Sequence, residues 1–145
     1  MMFEDFIKEG SVRKVSPNRQ LAKSLVKIAN LRLKNTETMR VTDENSFNVV
    51  ENCYEAIREM IDALMSLKGL KSYSHEATVE FLKEFYSVKV GYAVVSKIDR
   101  YRRLRNDIKY EGLLTTKTEA EEILKNTKIV TSILMQLLEK EGLKN

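Results

Sequence analysis

The sequence predicts an all-α fold, an up-and-down antiparallel bundle of about five helices in one domain spanning residues 1–145. Three observations carry this. Apolar residues recur at three- and four-residue spacing along most of the chain, and outside the short run 87–90 no segment alternates with the period of two that a half-buried strand needs. Five glycines and a single proline leave few places to turn, which favours long helices joined by short connections. A chain of 145 residues, 43% hydrophobic and 32% charged, is large enough for one core without a disulfide, metal or other cofactor.

The elements follow in order. Residues 1–15 place Phe3, Phe6 and Ile7 in helical phase before Gly10, an N-terminal extension or short helix packing on the domain. Ser16-Pro17 is a helix start signal, and Leu21, Leu25 and Ile28, flanked by Ala22 and Ala29, form the apolar stripe of the helix that follows. A polar segment, NTETMRVTDENS, leads into a helix over about 47–68, with Val50, Cys53, Tyr54, Ile57, Ile61, Leu64 and Leu67 on one face and Gly69 closing it. Ser74 caps a shorter helix carrying Thr78, Phe81, Leu82 and Phe85. A break at Gly91 separates it from a helix running to about Gly112. Thr118 and Glu121 have capping-box spacing, and Ile123, Leu124, Thr127, Val130, Leu134 and Leu137 carry the last helix towards Gly142.

Composition bounds the function. No apolar run approaches the length of a membrane span and the N-terminus lacks a secretory pattern, so the expectation is a cytoplasmic protein with no membrane partner. Cys53 stands alone in an apolar phase, which predicts a buried thiol. His75 is the sole histidine, so no His/Cys metal cluster can form, and its position after the Ser74 cap reads as a local packing role. No Gly-rich phosphate loop is present. A net charge of +4 is compatible with nucleic acid without requiring it, so the distribution of charge must decide.

That distribution points to "YRRLRNDIKYEG", 101–112, which with Arg100 holds four arginines within six residues. At about 100° per residue, Val94, Ile98, Tyr101 and Ile108 define one buried stripe. Arg100 and Arg103 point away from it and Arg102 lies at its border. Arg105 falls inside it. A guanidinium cannot be buried unpaired without a cost of several kcal/mol. Either a carboxylate from another helix pairs it, or its head reaches solvent, or it is held in a groove where its fork grips a phosphate.

Three pieces of the chain, LAKSLVKIANLRL, LMSLKGLKSYSHEATVEFL and RLRNDIKYEG, resemble the HEPN superfamily (higher eukaryotes and prokaryotes nucleotide-binding) of small α-helical proteins, over about residues 17–138. The resemblance implies an HEPN-like RNA- or nucleotide-binding protein. Members that cleave RNA are metal-independent endoribonucleases, with an arginine, a polar residue and then a histidine, two copies meeting in a homodimer. The motif arginine matches Arg105, the polar residue Asn106, and the position of the histidine holds Tyr110. These three are the catalytic candidates the resemblance implies, with Arg102, Arg103 and Lys109 as nucleic-acid contacts. It further implies a toxin of a toxin-antitoxin pair, with a nucleotidyltransferase-like antitoxin as partner. Tyrosine, with an unperturbed pKa near 10, is a poor proton-transfer group beside imidazole, so the alternative is a non-catalytic nucleotide-binding or interaction module. Residues five apart on an intact helix also lie about 140° apart, so Arg105 and Tyr110 can share a groove only if the helix ends early or two chains contribute.

Overall fold

The computed structural model describes residues 1–143. Within them the chain forms α1 (Phe3–Glu9), β1 (Val12–Lys14), α2 (Arg19–Glu37), α3 (Ser46–Leu67), β2 (Leu70–Ser72), α4 (His75–Val90), α5 (Tyr92–Glu111) and α6 (Lys117–Lys140). The all-α bundle is as expected, with α1 as a sixth helix and one short antiparallel strand pair in addition. No helix among the described residues is long and apolar enough to cross a membrane.

Helix α3 is the centre. Its buried residues, from Val49 and Cys53 through Ile57 and Met60 to Leu64, occupy nearly every side, the pattern of a helix enclosed by others. It packs against α2, α6, α5, α4 and β2. Its one buried carboxylate, Glu59, is satisfied by a two-pronged pair from α2, with Arg32 Nε at 2.9 Å and Nη2 at 3.0 Å. Cys53 is fully buried, and that burial pushes its thiol up to about 11.

Three local readings are corrected. On α2 the buried row is Ala22, Val26, Ala29 and Leu33, whereas Leu21 and Ile28 remain 44% and 45% exposed. Two alanines in one row let the α2 backbone approach α3 closely, which rotates the larger neighbours outward. Helix α2 starts at Asn18, not Ser16-Pro17, with Asn18 Oδ1 accepting the Leu21 N–H at 2.9 Å. The preceding segment is held extended by the Val15 N–H donating to Gly69 O and the Asn18 N–H donating to Ser66 O, so it cannot wind earlier. Helix α6 is capped by Thr116 and Glu119 rather than Thr118 and Glu121, and the next N–H, of Lys117, donates to Asp43 Oδ1 at 2.7 Å.

The run 87–90 is the last turn of α4, and the strands lie elsewhere. Val12 pairs with Ser72 and Lys14 with Leu70. Gly69 makes this pairing possible, since it has φ +73° and a Cβ there would lie 2.6 Å from Val15 O. Helix α1 docks through Phe3, whose ring meets Phe81 and Phe85 edge-on at 5.5 and 5.7 Å.

Between α4 and α5 the expected break is one residue. Gly91, at φ 96° and ψ 135°, donates to Ser87 O to end α4, and its carbonyl accepts from Val94 and Val95 to begin α5. A side chain at that backbone conformation is strained by roughly 1–3 kcal/mol. Gly91→Ala is therefore expected to lower unfolding free energy by about that amount in urea titration, since nothing lies within 4 Å of the added Cβ and only the backbone is penalised.

Candidate functional site

Two antiparallel helices joined by one residue place equidistant positions opposite each other. His75 lies sixteen residues before Gly91 and Arg105 fourteen after it, so the first turn of α4 faces the last turns of α5. The central helix closes the third side with Tyr54, Glu55 and Arg58. The sequence marks Arg105 as a charge on the apolar face of α5 and gives His75 only a local role; the hairpin is what brings them near each other.

His75 opens α4 directly after Ser74, whose Oγ accepts the Ala77 N–H at 3.2 Å. The ring is half-buried, with Nδ1 3.1 Å from the hydroxyl of the buried Tyr54. Burial pushes the Tyr54 phenol up, so it stays protonated and can either donate to Nδ1 or accept from it. Nε2 has no hydrogen-bond partner among the described residues, so the imidazole can offer it as acceptor or as donor. The pKa of His75 is lowered, first by burial, then by the positive charges of Arg105 and Arg58, with Glu55 opposing and Lys109 adding a little. The ring is therefore neutral at pH 7.

Arg105 is half-buried, as its place on the apolar face of α5 requires, among the buried Ile98, Tyr101 and Ile108. Its Nη1 donates to Asn106 Oδ1 at 3.2 Å, and no carboxylate lies within ion-pair distance of it among the described residues. Its neighbours differ. Arg102 Nε and Arg103 Nη2 both bind Asp99 at 2.9 Å, and Arg58 is divided between Glu55 at 2.8 Å and Asp62 at 2.5 Å. The Arg105 charge is felt at Tyr54, Glu55 and His75, so it lies near the place where α3 and the start of α4 meet.

The other expected contacts separate into two groups. Arg102 is the more enclosed of its pair, 15% exposed, and with Arg103 and Lys83 lines a groove of about 320 Å³ between α4 and α5, where Glu76, Glu80 and Asp99 offset their charge. Lys109 and Tyr110 are exposed, with Lys109 Nζ 5.8 Å over the Tyr110 ring. Helix α5 runs unbroken through Tyr110 to Glu111 and closes on Gly112 in the left-handed conformation. Tyr110, 68% exposed, therefore lies about 140° around the helix from Arg105 and outside its groove in one chain.

The Arg58 branch carries a separate titration. Burial, aided by Glu55 and Glu59 and opposed by Arg58, pushes Asp62 up to about 6. Its unfolded value is about 3.9, so the stability it contributes is full below that value and is lost as pH rises through about 6. The melting temperature of Asp62→Asn relative to wild type is expected to rise by about 3–8 °C between pH 4 and pH 7. A pH-independent difference, read by differential scanning fluorimetry, contradicts this.

Comparison with known proteins places no constraint on these residues: no protein-family model matches the chain, and neither a curated protein nor a solved structure matches it.

Proposed function

We propose that this chain is an RNA- or nucleotide-binding protein that seats a phosphate against Arg105 and holds His75 beside it for proton transfer. The observation that carries the reading is Arg105 itself, half-buried on rigid helix, without a carboxylate partner among the described residues, its charge felt at the chain's one imidazole. A guanidinium with an open fork matches phosphate geometry, and the N-terminal end of α4 favours an anion. Asn106 steadies the guanidinium, while Arg102 and Arg103, the expected nucleic-acid contacts within one turn of it, are both bound to Asp99.

On RNA the chemistry is an intramolecular transfer. The 2′-oxygen forms a bond to phosphorus as His75 takes its proton, the bond from phosphorus to the 5′-oxygen breaks, and that oxygen takes a proton from water, whose hydroxide recovers the proton held by His75. The products are a 2′,3′-cyclic phosphate and a 5′-hydroxyl, and Arg105 offsets the charge gathering on the phosphoryl oxygens. This assigns to His75 the role that the HEPN resemblance would give to position 110. The homodimer, the toxin-antitoxin context and the nucleotidyltransferase-like antitoxin belong to the same reading and rest on the resemblance. The non-catalytic reading draws on Tyr110, which in one chain is exposed and apart from Arg105.

The test is metal-free cleavage and binding of a mixed single-stranded and structured RNA. Arg105→Ala is expected to weaken binding about tenfold or more and to make its salt dependence shallower by about one phosphate contact. Its fold should be as stable as wild type or more so. His75→Gln should lower cleavage by roughly 10²–10⁴ with binding nearly kept, and Tyr110→Phe should change neither. Loss of cleavage in Tyr110→Phe alone transfers the role to tyrosine across two chains. Arg105-dependent binding with no cleavage by wild type leaves the binding function only, and binding indifferent to Arg105 ends the reading.

A further inference from the structure

Helix α2 carries two apolar rows, and the bundle uses one. Ala22, Val26, Ala29 and Leu33 face α3, while Leu21, Ile28 and Leu31 run along the outside at helical spacing, with the half-buried Leu25 at their inner edge packed against the core. Leu21, Ile28 and Leu31 are 44%, 45% and 49% exposed. Furrows flank this row on both sides. Towards α3, one of about 460 Å³ is walled by Leu21, Leu25 and Leu70 and another of about 510 Å³ by Ile28, Leu31 and Met39. Towards α6, a third of about 460 Å³ has Val26, Leu31, Met135 and Leu143 as its apolar lining. Its polar rim is Asn30 with Lys23, Lys27 and Lys34, the lysines forming a row to one side of the apolar one. Those three lysines are exposed and make no ion pair among the described residues.

We infer that the outer face of α2 is a docking surface for an amphipathic helix of a partner protein, one that lays apolar residues along Leu21, Leu25, Ile28 and Leu31 and carboxylates against Lys23, Lys27 and Lys34. Charge complementarity selects this occupant. A second copy packed antiparallel about a two-fold axis would set its lysine row against the same row of its neighbour, a repulsion that a Glu-flanked helix converts into attraction. A lipid surface would meet the row as a ridge, whereas furrows on both sides fit the side chains of a helix lying alongside, anchored at i, i+3, i+4 and i+7. The inference draws on α2 and the furrows beside it and is independent of the Arg105 reading on α5.

The probe is a designed, fluorescein-labelled helical peptide with leucines at that spacing and glutamates along one flank, compared by anisotropy with a lysine-flanked peptide of the same leucine pattern. The full chain is expected to bind the glutamate peptide at least tenfold more tightly than the lysine peptide. An Ile28→Ser, Leu31→Ser variant should lose about tenfold for the glutamate peptide. A Lys23→Glu, Lys27→Glu, Lys34→Glu variant should reverse the preference. All these positions are exposed, so circular dichroism melts of the variants should match wild type. Three results overturn the inference: equal affinity for both peptides, a dimer in sedimentation equilibrium that Ile28→Ser, Leu31→Ser disperses, or co-sedimentation with phosphatidylserine vesicles that the same variant abolishes.

Discussion

Everything in the candidate site depends on the register of α4 against α5, and one residue sets that register. Gly91 serves as the end of one helix and the start of the next, at a backbone conformation that other residues reach only with strain. A connection of one residue gives the two helices no freedom to slide. His75 must therefore come opposite the end of α5 that carries Arg105, and α3 packs behind both helices. The chemistry proposed here follows from a turn at the far end of the hairpin.

The charges around that groove are arranged unequally. Arg32 is committed to Glu59, Arg58 to Glu55 and Asp62, and Arg102 and Arg103 share Asp99. Pairing of this kind holds helices in place and uses up the capacity to bind an external anion. Among the described residues Arg105 donates to the amide of Asn106, a neutral acceptor that orients a guanidinium without cancelling its charge. The same positive charge, added to burial, keeps His75 neutral at pH 7. One arrangement thus prepares both an anion seat and a ring free to take a proton.

The long amphipathic helices were legible in the sequence because three- and four-residue periodicity persists over many turns. Arg105 stood out in the same way, as a charge inside the stripe of Ile98, Tyr101 and Ile108. Features set by tertiary contact were not legible. The strands at 12–14 and 70–72 are three residues each, too short for alternation to register, and depend on Gly69 letting one backbone approach another. The larger residues of α2 suggest a stripe through Leu21 and Ile28, although two alanines decide which side can come nearest α3. His75 was read through its neighbour Ser74, because nothing local shows that a residue beyond Gly91 faces it. Counting outward from that glycine along two helices is the signal that would have found it.

The central claim is that Arg105 and His75 act on one phosphate as neighbours within one chain. Because His75 is the sole histidine, its ring carbon-bound proton gives a single NMR resonance that reports this directly. In a pH titration of wild type the midpoint should fall below the ordinary histidine value of about 6.5. Arg105→Gln should move it up, by removing a positive neighbour. Added uridine 3′-monophosphate should raise the wild-type midpoint, as a bound phosphate favours the imidazolium, and should have little effect on Arg105→Gln. A midpoint indifferent both to Arg105 and to the nucleotide would contradict the account.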